Sequence, residues 1–152
     1  MERVLDIAAW LGCAFCVLLV AVSWRFLPDT IPIHFDAGGE PDGWGGKAVV
    51  LIPPIILLGP FILLTALTSY AHRFHYPIRI TEQNAERQYL IARSLMRWLK
   101  VEIVFLFASI TSSMVWVSVG FSERLSTLGL HMLLAAIGVT MAVHLLLVYR
   151  RR

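Results

Sequence analysis

What most constrains this chain is the confinement of its charges to short blocks between long, nearly uncharged apolar runs. Four such runs cover residues 7–27, 49–70, 101–121 and 127–149. At about 1.5 Å per helical residue, each is long enough to cross a hydrocarbon core of about 30 Å. With 58% hydrophobic residues, 15% charged residues and a mean hydropathy of +0.73, the chain cannot furnish the charged surface of a soluble domain of its size. The expected fold class is therefore an all-α integral membrane protein with four transmembrane helices in a single domain. An outer loop spans residues 28–48 and a basic inner segment spans residues 71–100.

Local signals refine the spans. Trp24 and Arg25 suit the membrane interface at the end of the first, and Pro28 ends it. Pro53-Pro54 and Gly59-Pro60 interrupt the second, which should be proline-kinked or begin at the proline pair. From residue 78 to 119 there is neither Gly nor Pro. With Thr81 as N-cap and Glu82 in the first turn, this predicts one long helix from about Thr81 through the third span, its first half cytoplasmic or interfacial. Small residues four apart (Ala108/Ser112, Ser109/Ser113, Gly138/Ala142) predict close helix packing. Cys13 and Cys16, three apart on one helix, read as packing residues rather than a disulfide.

Orientation follows from the positive charges. Arg73, Arg79, Arg87, Arg93, Arg97 and Lys100 outweigh Glu82 and Glu86 in the middle segment, and the sequence ends Arg150-Arg151-Arg152. Both blocks belong on the cytoplasmic side, so the protein is expected to be multi-pass in the cell membrane with both termini inside. Arg87, Arg93, Arg97 and Lys100 are expected to meet anionic lipid at the inner face or a partner protein. Because lipid phosphate accounts for the basic residues, nucleic acid is not an expected partner.

The polar exception is residues 27–47, which hold five of the ten glycines. Ile31 to Asp36 reads as extended. Alternation would rest Ile31, Ile33 and Phe35 on the bundle and point Pro32, His34 and Asp36 into water or a cleft. The glycines permit tight turns and close approach of a ligand. The candidate ligand- or partner-binding residues are His34, Asp36, Gly39, Asp42, Trp44 and Lys47. His131, near the outer end of the fourth span, would complete with His34 and Asp36 a nitrogen and oxygen set suited to zinc, a minor alternative to the expectation of no cofactor. Glu102 and His144 are ionisable groups at similar depth in adjacent spans and are expected to pair near the cytoplasmic interface. No catalytic constellation is readable. Gly46-Lys47 lacks the remainder of a phosphate-binding loop, and the calcium-loop likeness of residues 36–42 fails because Gly38 sits where an oxygen ligand should be and no glutamate follows at the final ligand position.

The stretch Leu27-Pro28-Asp29-x-Ile31-Pro32-x-His34-Phe35, followed by Gly39-x-x-Asp42-x-Trp44-x-x-Lys47, resembles the N-terminal domain of unknown function in SdpI-type bacterial immunity proteins. Those are polytopic membrane proteins with further spans and a second characteristic domain. The name-giving member protects its producer from a secreted peptide toxin and sequesters a transcriptional repressor at the membrane. The resemblance covers the first span, the loop and the second span, with Pro28, Pro32, His34, Gly39, Asp42, Trp44 and Lys47 at the motif positions. It implies a membrane binding protein, not an enzyme: an immunity or signalling factor, or an accessory subunit of a membrane complex. Its outer loop would meet an extracellular peptide ligand, and it would work with a membrane-protein partner or as a homo-oligomer. The alternatives are a metal-assisted membrane enzyme using His34 and Asp36, and a small oligomeric transporter using the second span with Glu102 and His144.

Overall fold

The computed structural model describes residues 2–150, so Arg151 and Arg152 of the basic tail lie outside the described residues. In chain order it contains α1 (Glu2–Ser23), β1 (Thr30–Phe35), β2 (Pro41–Gly46), α2 (Ile52–Ser69), α3 (Ala85–Ser118) and α4 (Thr127–Arg150). Short 3-10 turns at Lys47–Leu51 and Ala71–Arg73 flank α2. Four helices are long and apolar enough to cross a membrane, as the hydropathy pattern requires.

Helix α3 is the axis of the bundle. It runs 34 residues without Gly or Pro, and α1, α2 and α4 each pack on it, whereas α1 and α2 scarcely touch. Its buried positions, among them Ile91, Val101, Val104, Ala108, Thr111 and Val115, recur at the three- and four-residue spacing of a helix facing neighbours. One core cluster joins Leu5, Ala9 and Cys16 of α1 to Leu57 and Phe61 of α2 and to Val101, Val104 and Ala108 of α3. A second joins Val20, Leu27, Ile31, Val50, Met114 and Val115, seating the base of the β1–β2 hairpin on the end of the bundle. Helix α4 is peripheral and buries only His144 and Val148.

Several expectations change. The fold is mostly helical, as expected of four spans, and adds a two-stranded antiparallel hairpin, β1 with β2. In α2, Pro53 and Pro54 occupy the first turn, where the missing N–H groups have no helical partner to lose. The helix thus starts at the proline pair and continues through Pro60. Helix α3 begins at Ala85, four residues after Thr81. Asn84 bridges back instead: its Oδ1 accepts from the Thr81 N–H at 2.8 Å and its Nδ2 donates to the Arg79 carbonyl at 3.1 Å, holding residues 79–84 in a turn. Gly138 and Ala142 face outward rather than into a helix contact. The close approach is made by Gly12 of α1, where an added Cβ would collide with the Val104 side chain. Cys13 and Cys16 are free thiols.

Candidate functional site

The hairpin is the polar structure at the α1-exit end of the bundle. Thr30 pairs with Gly46, Ile31 with Gly45, Pro32 with Trp44, His34 with Gly43 and Phe35 with Pro41, with register shifts on both sides of His34. Those shifts break the two-residue alternation. Ile31 and Pro32 are both buried, while Ile33 is exposed and packs over Gly45. This corrects the expectation that Ile33 rests on the bundle and Pro32 faces outward. Gly43 is required because a Cβ there would lie 2.8 Å from the Cβ of His34.

His34 and Asp36 do not act together. The Nδ1 of His34 meets Asp42 Oδ1 across the hairpin at 2.5 Å, with both side chains largely open to solvent. Asp36 closes the turn: its Oδ1 accepts from the Glu40 N–H at 2.9 Å, its own N–H donates to the Glu40 carbonyl and its carbonyl accepts from Gly39. Gly39, at φ +84°, takes a conformation that favours glycine. Its carbonyl accepts from the Leu125 N–H at 2.8 Å, and an added Cβ would strike the Leu125 carbonyl. The hairpin tip is thereby clasped to the α3–α4 turn. At the other end the Lys47 N–H donates to the Asp29 carbonyl, the Lys47 ammonium lies 3.3 Å from the Asp29 carboxylate, and it sits 5.6 Å from the centre of the Trp24 ring. The hairpin is thus fixed at base and tip. It presents His34, Asp42 and Trp44, the last 59% exposed.

The zinc set is not assembled. His131 Nδ1 donates to the Thr127 carbonyl at 2.7 Å on its own helix, Asp36 is engaged in the turn, and His34 faces Asp42. Among the described residues no three His, Cys, Asp or Glu side chains come together as a metal site.

Inside the bundle, Glu102 and His144 are both buried but do not pair directly. Thr140 stands between them: its hydroxyl donates to Glu102 Oε1 at 2.5 Å and its carbonyl accepts from His144 Nδ1 at 2.8 Å. A carbonyl can only accept, so Nδ1 carries the proton and Nε2 faces the Ser94 hydroxyl at 3.1 Å. Glu102 Oε2 is buried with no hydrogen-bond partner among the described residues. Thr140, a hydroxyl in an apolar run, and Ser94, in the basic segment, carry no sequence pattern that marks them as partners of Glu102 and His144.

The basic stripe divides. Lys100 is 3% exposed and donates to Asp6 Oδ1 at 2.6 Å, with Thr65 Oγ1 at 3.4 Å and the Phe61 ring centre at 5.5 Å. Arg97 holds Asp6 and Glu2, each at 3.2 Å. These two cations are engaged by α1, which corrects the expectation that they meet lipid or a partner. Arg87 is exposed and Arg93 half-buried. The signal for the pairing was present: Asp6 opens an apolar span, and a carboxylate there needs an opposite charge from another helix.

Residues 11–58 match a domain of unknown function, DUF1648. A stretch of 56 residues is 38% identical to an uncharacterized protein of Archaeoglobus fulgidus, covering 32% of this chain and 31% of that one. The match therefore spans about a third of the relative's length. No solved structure matches. The DUF1648 match covers most of α1, the hairpin and the start of α2, and leaves α3 and α4 outside it.

Proposed function

We propose that the protein is an SdpI-like membrane binding protein, an immunity or signalling factor or an accessory subunit of a membrane complex, acting through the β1–β2 hairpin. The observation that carries this reading is the exposed presentation of His34, Asp42 and Trp44 on a hairpin tied at Gly39–Leu125 and Asp29–Lys47. Preorganisation lowers the ordering cost of binding, and an exposed Trp beside a charge pair is the composition of an interface anchor. Its occurrence within the DUF1648 match supports the same assignment. On this reading the hairpin lies outside the cell and both termini inside, consistent with the basic blocks at residues 73–100 and at the C-terminus.

Expression in a strain sensitive to a membrane-active peptide toxin should confer resistance, reduced at least tenfold by Trp44→Ala and by His34→Ala. Absence of protection at full membrane expression would refute the immunity role. A second reading, proton-coupled transport, is favoured by the unpartnered Glu102 oxygen next to Thr140 and His144. A Glu102→Gln variant whose phenotype is unchanged across pH would count against it.

A further inference from the structure

A hydroxyl-lined cavity of about 370 Å³ lies under the α3–α4 turn. Ser109, Ser112, Ser113 and Trp116 line it from one face of α3, and Ser122, Arg124 and Ser126 close it from the turn. Ser112 and Ser113 are 6% and 8% exposed, yet neither hydroxyl has a hydrogen-bond partner among the described residues, and neither does that of Ser109. This sets them apart from Thr111 and Ser118 on the same helix, whose hydroxyls donate to backbone carbonyls four residues back. Ser126 Oγ accepts from the Gly129 N–H, which leaves its own proton free, while Ser122 is committed to the backbone of Arg124. No carboxylate among the described residues pairs with the Arg124 guanidinium. These hydroxyls have donors to spare, and they line the same cavity as an unpaired cation.

The cavity has an apolar neighbour of about 760 Å³, lined by Leu19, Phe26, Val115 and Val119 together with Trp116 and Phe121. Trp116 and Phe121 belong to both cavities, with ring centres 5.9 Å apart.

We infer that the serine–arginine cavity is a binding site for a phosphate group, held by Arg124 and the hydroxyls of Ser109, Ser112 and Ser113. Several hydroxyl donors around one guanidinium match a phosphate's three acceptor oxygens and its charge. The adjoining apolar cavity would take the hydrocarbon part of a phospholipid, so that Trp116 and Phe121 lie at the junction of head and chain. Because the Leu125 N–H binds Gly39, an occupant of this site bears on the turn that clasps the hairpin.

The test uses full-length protein in neutral detergent, titrated with dioctanoyl phosphatidic acid, dioctanoyl phosphatidylcholine, dioctanoylglycerol and inorganic phosphate, with bound molecules counted by native mass spectrometry. One phosphatidic acid should bind saturably per chain. Arg124→Gln and Ser112→Ala/Ser113→Ala should each weaken it at least tenfold while keeping the wild-type unfolding midpoint to within a few degrees. Arg79→Gln, an exposed cation in the turn before α3, should leave binding unchanged. Competition by inorganic phosphate at similar concentration would identify the free ion as the ligand, whereas its failure to compete would assign the site to the lipid. The inference is overturned if nothing binds saturably, if dioctanoylglycerol binds as well as phosphatidic acid, or if Arg79→Gln weakens binding as much as Arg124→Gln. Should the double serine variant unfold, Arg124→Gln alone decides, since no hydrogen bond or ion pair among the described residues depends on its guanidinium.

Discussion

Replacing Asp6 by Asn tests how α1 is held to α3. Lys100 is 3% exposed and its ammonium has one carboxylate, Asp6 Oδ1 at 2.6 Å. With that charge removed, it keeps the Thr65 hydroxyl at 3.4 Å and the Phe61 ring at 5.5 Å, neither of which neutralises it. Breaking a buried pair from one side costs about 3–5 kcal/mol. The Asp6 side chain is 38% exposed, so solvent screening lowers the expectation to about 1–3 kcal/mol. That is a change of about 5- to 150-fold in the folding equilibrium. Lys100→Met keeps an apolar stem against Phe61 but leaves Asp6 with Arg97, so it should cost less than Asp6→Asn. The double variant Asp6→Asn/Lys100→Met should recover most of the loss, since a buried pair replaced by apolar volume is often neutral. Reversible unfolding in mixed micelles, read as a double-mutant cycle, measures the coupling. Strictly additive effects, or an Asp6→Asn cost below about 0.5 kcal/mol, would refute the claim that this pair fixes the α1–α3 register.

Other substitutions probe the remaining joints. Gly39→Ala combines a positive φ with a collision at the Leu125 carbonyl; it should cost about 1–3 kcal/mol and speed amide exchange through residues 30–46, read by hydrogen–deuterium exchange. Thr140→Val removes the donor to Glu102 and should destabilise by about 1–3 kcal/mol, whereas Thr140→Ser should retain most of the stability in the same unfolding assay. Gly12→Val should disrupt the α1–α3 contact at Val104 and lower the unfolding midpoint in detergent. In the resistance assay His34→Ala and Asp42→Ala should be non-additive, because each removes the same cross-hairpin contact.

The four helices were legible because hydropathy over about twenty residues overrides local propensity. The hairpin was only half legible. Ile31, Ile33 and Phe35 mark β1 as extended, but β2 is Pro41-Asp42-Gly43-Trp44-Gly45-Gly46, a composition depleted in strand formers. Its pairing comes from the tethers at Asp29–Lys47 and Gly39–Leu125 rather than from propensity. For the same reason the partner of His34 was misread: Asp36 is two residues away in sequence, whereas Asp42 becomes its neighbour only once the bulged register is set. The Asp6–Lys100 and Glu102–Thr140–His144 contacts depend on how separate helices rotate against α3, which no single run encodes. The serine face of α3 was visible as small residues four apart. That pattern alone suggested packing, and only the bundle shows that Ser109, Ser112 and Ser113 face a cavity.

On the proposed function, the hairpin is the recognition surface. Its most direct test is site-specific photocrosslinking in living cells, with a photoreactive phenylalanine analogue at position 44 and, as control, at position 82 beyond the opposite end of the bundle. A recognition hairpin gives a discrete protein or peptide adduct at position 44 that is lost when Asp42→Ala is added, and no such adduct at position 82. Crosslinking at position 44 to lipid alone, or equal adducts at both positions, would contradict it.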